Sequence, residues 1–334
     1  MNASSGLTVA VTGPTGTFGF GLIPLLEADD RIDRVIGIAR RSFDPLEHGW
    51  TKMIYRQGDV RDVAALEESF RGVDVVVHLA FLITGTASRE TTRSINIDGT
   101  INAFRAAAAA GVRRFVYASS AAAYGFHDDN PIGLDETWPT RPDTRLFYAE
   151  EKAELEALLA LESAAHPKVA LYLLRPPIVL GPHAAGAKDL LPKMLAPLLR
   201  GVVGAVGRLP GRLPTFVPAI PMQFIHEQDV GRALLLCIVA AGPSGVYNIS
   251  GDGIVTAQDV ARQFGLVPLP FPLGATQRVA RLIAALPAPA FAPPVTEWFE
   301  ALSHPIIMDT TKATRDLGWQ PEYSSLEALR TMFH

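Results

Sequence analysis

The stretch Val9-Ala10-Val11-Thr12-Gly13-Pro14-Thr15-Gly16-Thr17-Phe18-Gly19 joins a short apolar run to three glycines spaced three apart, and an apolar-periodic segment follows to about residue 29. In such a strand–turn–helix the three glycines do different work. One permits the tight turn, one lets a pyrophosphate approach the backbone, and one lets the helix lie close to the strand. The helix N-terminus then offers free amides and partial positive charge to an anion. Spaced glycines alone are a weak signal, but this context makes Gly13, Thr15, Gly16, Thr17, Phe18 and Gly19 candidate cofactor contacts. Pro24 lies inside the expected helix and has no functional reading.

The second strand, residues 34–39, ends in Gly37-Ile38-Ala39-Arg40-Arg41. Many NAD binders carry an acid here for the ribose 2′-hydroxyl. Two cations suit a 2′-phosphate instead, through paired charge-assisted hydrogen bonds. NADP(H) is therefore the expected cofactor, with NAD as the alternative and solvated loop charges as the other reading of Arg40 and Arg41. Gly58-Asp59-Val60 follows the third strand. Asp59 could bind the adenine amino group beside Val60, or open a loop or cap the helix at 63–70.

Further along, 73–80 reads as a strand, 95–110 as a helix ended by Gly111, 114–120 as a strand, 148–163 as a helix and 169–174 as a strand. Strands without polar alternation are buried on both faces. Their alternation with helices predicts an α/β protein built on a Rossmann-type doubly wound parallel sheet. Beyond Gly181 the pattern loosens into a smaller, mixed C-terminal part. Residues 188–200, 230–241 and 257–264 look helical, and 246–249 strand-like. Seven prolines between 265 and 295 are expected to break regular structure on either side of one amphipathic helix at 276–286.

Composition narrows the function classes. The 334 residues carry 30 Lys+Arg against 34 Asp+Glu, a net charge of −4, which argues against nucleic-acid binding by broad phosphate neutralisation. Hydrophobic residues make up 48% and charged residues 19%, enough apolar material to exclude disorder as the dominant state. The single cysteine, Cys237, excludes an internal disulfide framework and reads as a small core side chain. Residues 1–6 lack a signal-peptide pattern, and no apolar run approaches the ~18 residues that span a bilayer. No membrane association and a cytoplasmic location are the expectation, and no metal ligands are assigned.

Tyr148-Ala149-Glu150-Glu151-Lys152 places a phenol and an ammonium on one helical face. A phenol titrates near 10, and lowering it to about 7 takes roughly 4 kcal/mol of phenolate stabilisation. The Lys152 ammonium and a cationic nicotinamide could supply that, and Lys152 could also bind the nicotinamide ribose. Tyr117-Ala118-Ser119-Ser120 ends the preceding strand, where ligands sit in open α/β sheets. A serine there can donate to a substrate oxygen; capping the strand end is the other reading, better suited to Ser119 than to Ser120.

Together these segments resemble the extended short-chain dehydrogenase/reductase superfamily, the NAD-dependent epimerase/dehydratase group. The match runs through His78-Leu79-Ala80, Asn96-Ile97-Asp98-Gly99-Thr100, Ser119-Ser120, Tyr148 with Lys152, and Arg175-Pro176-Pro177-Ile178-Val179-Leu180-Gly181-Pro182. It continues in Phe224-Ile225-His226 with Asp229, Tyr247-Asn248, Asp309-Thr310-Thr311-Lys312-Ala313 and Leu317-Gly318-Trp319. The resemblance implies Tyr148 as acid/base, Ser120 as donor to the substrate oxygen, and Lys152 as the cation that lowers the Tyr148 pKa and binds ribose. It implies cofactor contacts at Leu79, Ala80, Asn96, Ala118, Ser119, Pro176, Ile178 and Val179, Asn96 being chiefly structural. It further implies a cofactor-binding domain of residues 1–182, with 223–250 returning to it, and a substrate-binding domain within 183–334. A homodimer through two helices of the first domain is also implied; the alanine-rich helix at 101–110 would suit it, or would instead be buried against the sheet of its own monomer.

The departures concern the substrate. Nucleotide-sugar members of the group usually carry an arginine just before the segment matching Phe224-Ile225-His226, where this chain has Pro221-Met222-Gln223. A second arginine is usual upstream of the segment matching 309–313, where this chain has Trp298-Phe299-Glu300-Ala301-Leu302. The glycine-aspartate-glycine turn ahead of the first arginine is replaced by Leu213-Pro214-Thr215-Phe216-Val217-Pro218. A diphosphate without cations loses its strongest hydrogen bonds. The expected substrate is therefore a small molecule with a large apolar part, a ketone or secondary alcohol. The alternatives are a nucleotide-sugar epimerase/dehydratase, with Lys188, Lys193, Arg208 and Arg212 as remaining cations, and a non-catalytic cofactor-binding sensor on the same fold.

Overall fold

A computed structural model describes residues 6–83, 88–143, 146–184, 214–263, 265–271 and 304–333. The expected helices at 188–200 and 276–286, the cations Lys188, Lys193, Arg208 and Arg212, and the 298–302 stretch lie outside the described residues.

Seven parallel strands form the central sheet: β1 (Leu7–Thr12), β2 (Ile32–Ala39), β3 (Met53–Gln57), β4 (Val75–His78), β5 (Arg114–Ala118), β7 (Ala170–Arg175) and β12 (Gly245–Asn248). Their spatial order is β12-β7-β5-β4-β1-β2-β3, so the order reverses between β1 and β4. That reversal opens the crevice in which an open α/β sheet binds ligands, at the carboxyl ends of its strands. The helices between strands are α1 (Thr17–Ala28), α2 (Val63–Ser69), α3 (Arg89–Arg93), α4 (Gly99–Ala109) and α5 (Phe147–Ala165), with a π turn, Ser94–Asp98, joining α3 to α4.

Alternate side chains along each strand feed two cores. Val9, Val11, Val75 and Val77 pack with Leu22, Ile23 and Leu26 of α1 and with Val230, Leu234 and Cys237 of α6 (Glu227–Ile238). Ala10, Val76, Phe115 and Tyr117 face Leu66 of α2, Phe104 of α4, and Leu155 and Leu159 of α5. The alanines Ala103, Ala106 and Ala107 of α4 are buried in this second core, inside the monomer. The expected 148–163 helix starts one residue earlier and ends two later, and the expected 95–110 helix divides into the π turn and α4.

After β7 the chain makes β8 (Ile178–Leu180), and later β11 (Phe224–His226) pairs with it in parallel. Ahead of β11 lie β9 (Pro214–Pro218) and β10 (Pro221–Met222), and β10 pairs antiparallel with β13 (Val255–Thr256). Then follow α7 (Ala257–Gln263), β14 (Val267–Phe271), β15 (Ile307–Met308), α8 (Thr311–Leu317) and α9 (Ser325–Arg330); β15 pairs in parallel with β6 (Ile132–Leu134), which comes after β5. The expectation that prolines break this region fails at β14, which runs through Pro268 and Pro270 and pairs in parallel with β9. A two-stranded ribbon is all edge, and an edge strand tolerates prolines whose missing N–H would have faced outward. Asp229 fastens the C-terminal segment to α6. Its fully buried carboxylate accepts Glu322 N–H at 2.9 Å and Tyr323 N–H at 3.2 Å, and Trp319 donates to its carbonyl at 3.1 Å.

Candidate active site

The crevice is built first by the turn after β1. Gly13 has φ +74°, and a Cβ there would stand 2.9 Å from the Ala80 amide nitrogen at the end of β4. At Gly19 a Cβ would overlap the Pro14 carbonyl oxygen at 2.0 Å, so helix and loop close only without one. Gly16 differs: its Cβ would meet only Gly13 O, at 3.5 Å, and the residue is exposed. No side chain caps α1 at Gly16. An open, side-chain-free cradle at an uncapped helix N-terminus fits a pyrophosphate. Thr17 donates to the carbonyl of His183 at 3.0 Å, which brings the segment after β8 onto the first turn of α1. Glu227 holds that segment by accepting His183 N–H at 3.1 Å and pairing with its ring at 2.7 Å. Sequence reasoning missed this clasp, whose partners lie 44 residues apart.

The turn after β2 leaves Arg40 and Arg41 exposed. Three of its carbonyls are held from β3: Tyr55 OH donates toward Ala39 O (3.2 Å) and Arg41 O, and Gln57 Nε2 donates to Arg40 O at 2.9 Å. Asp59, expected at the adenine amino group, is engaged with Arg61 at 2.7 Å. That pairing, helped by the Arg40 charge, holds its carboxyl below the usual carboxylate range. The cap of α2 is Asp62, which accepts Ala65 N–H at 3.1 Å.

At the reversal point β4 and β5 bring the chemistry together. His78 is fully buried between Thr12 (Nδ1, 2.9 Å) and Thr100 (Nε2, 3.0 Å), and burial pushes its pKa down to about 3. Thr100 donates its proton to Asn96 O at 2.5 Å, so it accepts from His78 Nε2–H. Thr12 then donates to Nδ1 and can accept Ala80 N–H at 3.4 Å. The neutral ring ties the end of β1 to the first turn of α4. Asn96 is structural as expected: its side chain accepts Leu82 N–H at 2.7 Å and donates to Leu82 O at 3.0 Å and to Glu151 at 2.8 Å.

The two serines meet different partners. Ser119 is buried and donates to Glu156 Oε1 at 2.5 Å. Ser120 is the capping residue: it accepts Ala122 N–H at 3.1 Å and is hydrogen-bonded to the Tyr148 hydroxyl. Adjacent strand residues point to opposite faces, and Glu156 claims the first of them. Glu156 also binds Arg175 through contacts of 2.5 and 3.0 Å, both side chains 5% exposed. Pro176, beyond Arg175, gives its carbonyl to Ala121 N–H at 2.9 Å, while Ile178 and Val179 are half-buried.

Lys152 donates to Tyr117 OH at 2.9 Å and to Ala118 O at 2.8 Å, with Nζ 5.9 Å from the Tyr148 ring. Burial pushes Tyr148 up to about 12, and the Ser120 bond only partly opposes it. Burial drives Lys152 the other way, down to about 7, against the support of Glu156 and Glu151. Burial thus favours the protonated phenol and the neutral amine.

This arrangement matches a known group. A model of the NAD dependent epimerase/dehydratase family covers residues 9–250, more than half of the chain. The chain belongs to that family. As an NAD-dependent epimerase/dehydratase family member it is an enzyme that uses a nicotinamide dinucleotide. Among relatives, it is 27% identical over 327 residues to sterol demethylase protein B of Methylococcus capsulatus, covering 94% of each chain. It is 27% identical over 353 aligned residues to a 3 beta-hydroxysteroid dehydrogenase/Delta 5→4-isomerase of Mycobacterium tuberculosis, covering 96% of this chain and 88% of that one. The crystal structure of a dTDP-glucose 4,6-dehydratase from Streptomyces venezuelae with NAD bound shares the fold at TM-score 0.70 and 22% identity, over 98% of this chain and 96% of that one. Among the described residues no helix is long and apolar enough to cross a membrane, and no group of His, Cys, Asp or Glu could hold a metal ion.

Proposed function

We propose that this family member is an NADP(H)-dependent oxidoreductase that moves hydride to or from an apolar carbonyl or secondary alcohol. The observation that carries the substrate class is Gln223, at the position where nucleotide-sugar members usually carry a diphosphate-binding arginine. Its carboxamide is spent on both backbone groups of Met308, accepting N–H at 2.8 Å and donating to the carbonyl at 3.1 Å. It brings no positive charge to a phosphate. The likeness to a hydroxysteroid dehydrogenase and to a sterol demethylase protein supports an apolar substrate of polycyclic or similar bulk. Exposed Arg40 and Arg41 at the end of β2, where an NAD binder usually carries an acid, support NADP over NAD.

In this reading the dinucleotide lies from the Gly13–Thr17 cradle to the Ser120–Tyr148 pair, and when bound it supplies the hydride acceptor or donor. Tyr148 holds the proton that the substrate oxygen gains or loses. Ser120, fixed by Ala122 N–H, steadies charge developing on that oxygen. Lys152 contributes the positive charge that favours the phenolate, a role that requires its proton to be retained. The nucleotide-sugar epimerase/dehydratase reading keeps this site and uses the hydride transiently; structural likeness to sugar-nucleotide enzymes supports it at the level of fold. Placement of 183–334, less the returning 223–250, as the substrate-binding part is proposed on the family pattern.

One experiment separates the readings. NADPH and NADH are titrated by fluorescence, and turnover is followed with a 3β-hydroxysteroid, UDP-glucose and dTDP-glucose as probes. We expect tighter NADPH binding, net cofactor turnover on the steroid, and a drop of several orders of magnitude in Tyr148→Phe with cofactor affinity kept. Equal or tighter NADH binding overturns the NADP assignment. Sugar-nucleotide turnover without net cofactor consumption overturns the substrate class, and near-normal Tyr148→Phe rates overturn the acid/base.

A further inference from the structure

We propose that Phe81 is a positioning residue for Lys152, its ring forming with that of Tyr117 an aromatic box that holds the ammonium beside Tyr148; this rests on the assignment of Tyr148 and Lys152 made above.

The Lys152 ammonium has three N–H donors. Two are met by oxygens, Tyr117 OH at 2.9 Å and Ala118 O at 2.8 Å. Nζ stands 3.8 Å from the centroid of the Phe81 ring and 4.6 Å from that of Tyr117. The Phe81 ring also meets the Tyr148 ring edge-on, at 5.6 Å and 90°. One side chain therefore touches both members of the tyrosine–lysine pair.

Phe81 is held in that place from its neighbour. Leu82 gives both its backbone groups to the Asn96 carboxamide, and Asn96 donates to Glu151, the residue next to Lys152 on α5. The loop carrying the ring is thus tied to the helix carrying the ammonium.

The surroundings explain why a ring is useful there. On its own helix Lys152 faces Tyr148 and the carboxylates of Glu151 and Glu156. From β5 it meets Tyr117, and from β4 the neutral His78. From β7, Arg175 is directed at Glu156 and draws on the carboxylate that supports the ammonium. Complete burial favours the neutral amine, whereas the negative face of an aromatic ring favours the charged form. A leucine in place of Phe81 would keep the apolar enclosure and remove the π face.

The test reads Lys152 directly and needs no substrate. Full-length protein with 13C-labelled lysine side chains is titrated by NMR from about pH 5 to about 10, Lys152 being assigned by the signal lost in Lys152→Met. In Phe81→Leu the Lys152 midpoint should fall by about one pH unit, and Phe81→Tyr, which restores a ring, should bring it back to within a few tenths. Phe81→Met, whose unbranched chain adapts to irregular gaps, replaces Phe81→Leu if the latter does not fold. A Phe81→Leu or Phe81→Met midpoint unchanged from wild type, or a Phe81→Tyr midpoint as low as theirs, overturns the proposal. Retained turnover in Tyr148→Phe would overturn the acid/base assignment and leave this titration unaffected.

Discussion

Glu156→Gln should be among the most damaging single-atom changes available to this protein. The wild-type carboxylate lies between α5 and β7, 5% exposed, and binds Arg175 through contacts of 2.5 and 3.0 Å while accepting Ser119 at 2.5 Å. Glutamine keeps the shape and one acceptor oxygen but removes the charge. The guanidinium cannot respond by releasing its proton, because arginine stays charged in proteins. An uncompensated buried charge of this kind typically costs about 3–5 kcal/mol, a large part of a usual total of about 5–15. The exposed pair Arg71–Glu68, 74% and 58% exposed, should by contrast contribute little.

The mirror variant Arg175→Met behaves differently. The stranded carboxylate can take up a proton and shed its charge, which the stranded guanidinium cannot. The folded variant therefore binds a proton more readily than its unfolded chain, and its stability relative to wild type falls as pH rises. Urea denaturation at pH 5 and pH 8 reads both effects. Glu156→Gln should lose about the same amount at the two values, and Arg175→Met should lose distinctly more at pH 8. A Glu156→Gln cost below about 1 kcal/mol, or an Arg175→Met cost independent of pH, would refute the claim that this pair is a dry, charge-balanced unit.

His78, held neutral with its pKa pushed down to about 3 from 6.5, gives a second pH signature. Below pH 6.5 the unfolded chain takes up a proton that the folded protein refuses, so this group lowers stability on acidification, by about 2 kcal/mol between pH 7.5 and 5. His78→Gln should remove that part of the slope, and urea midpoints falling equally in both proteins would contradict it. Cys237 is fully buried and burial pushes its thiol up, so a thiol reagent should label it only after opening of the α6 core. Stopped-flow labelling as fast as that of a free thiol would show that this core opens readily.

What the sequence disclosed and what it hid follow from how far apart the partners lie. The glycine turn was legible because its requirements are local: the overlap forbidden at Gly19 is with Pro14, five residues away. Tyr148 and Lys152 were legible because one helical turn puts them on one face. Asp59 has an equally local partner in Arg61, two residues on, and its acceptance of Arg61 N–H agrees with the loop-opening reading of that acid. The serine pair could be split into two faces by strand alternation, but the partner of Ser119, Glu156, lies 37 residues away. Glu156 itself carried a usable signal, since it follows Lys152 by the same four residues that separate Lys152 from Tyr148. The electrostatic state of the pair was the part no local rule could supply. It is set by Tyr117 and Ala118 from β5, Phe81 beyond β4, and the depth to which the sheet buries them all. A phenol pushed up to about 12 and an ammonium pushed down to about 7 are consequences of burial. Burial opposes the electrostatic pairing that spacing alone suggests, raising the phenol and lowering the ammonium, and only contacts that favour the charged forms offset it.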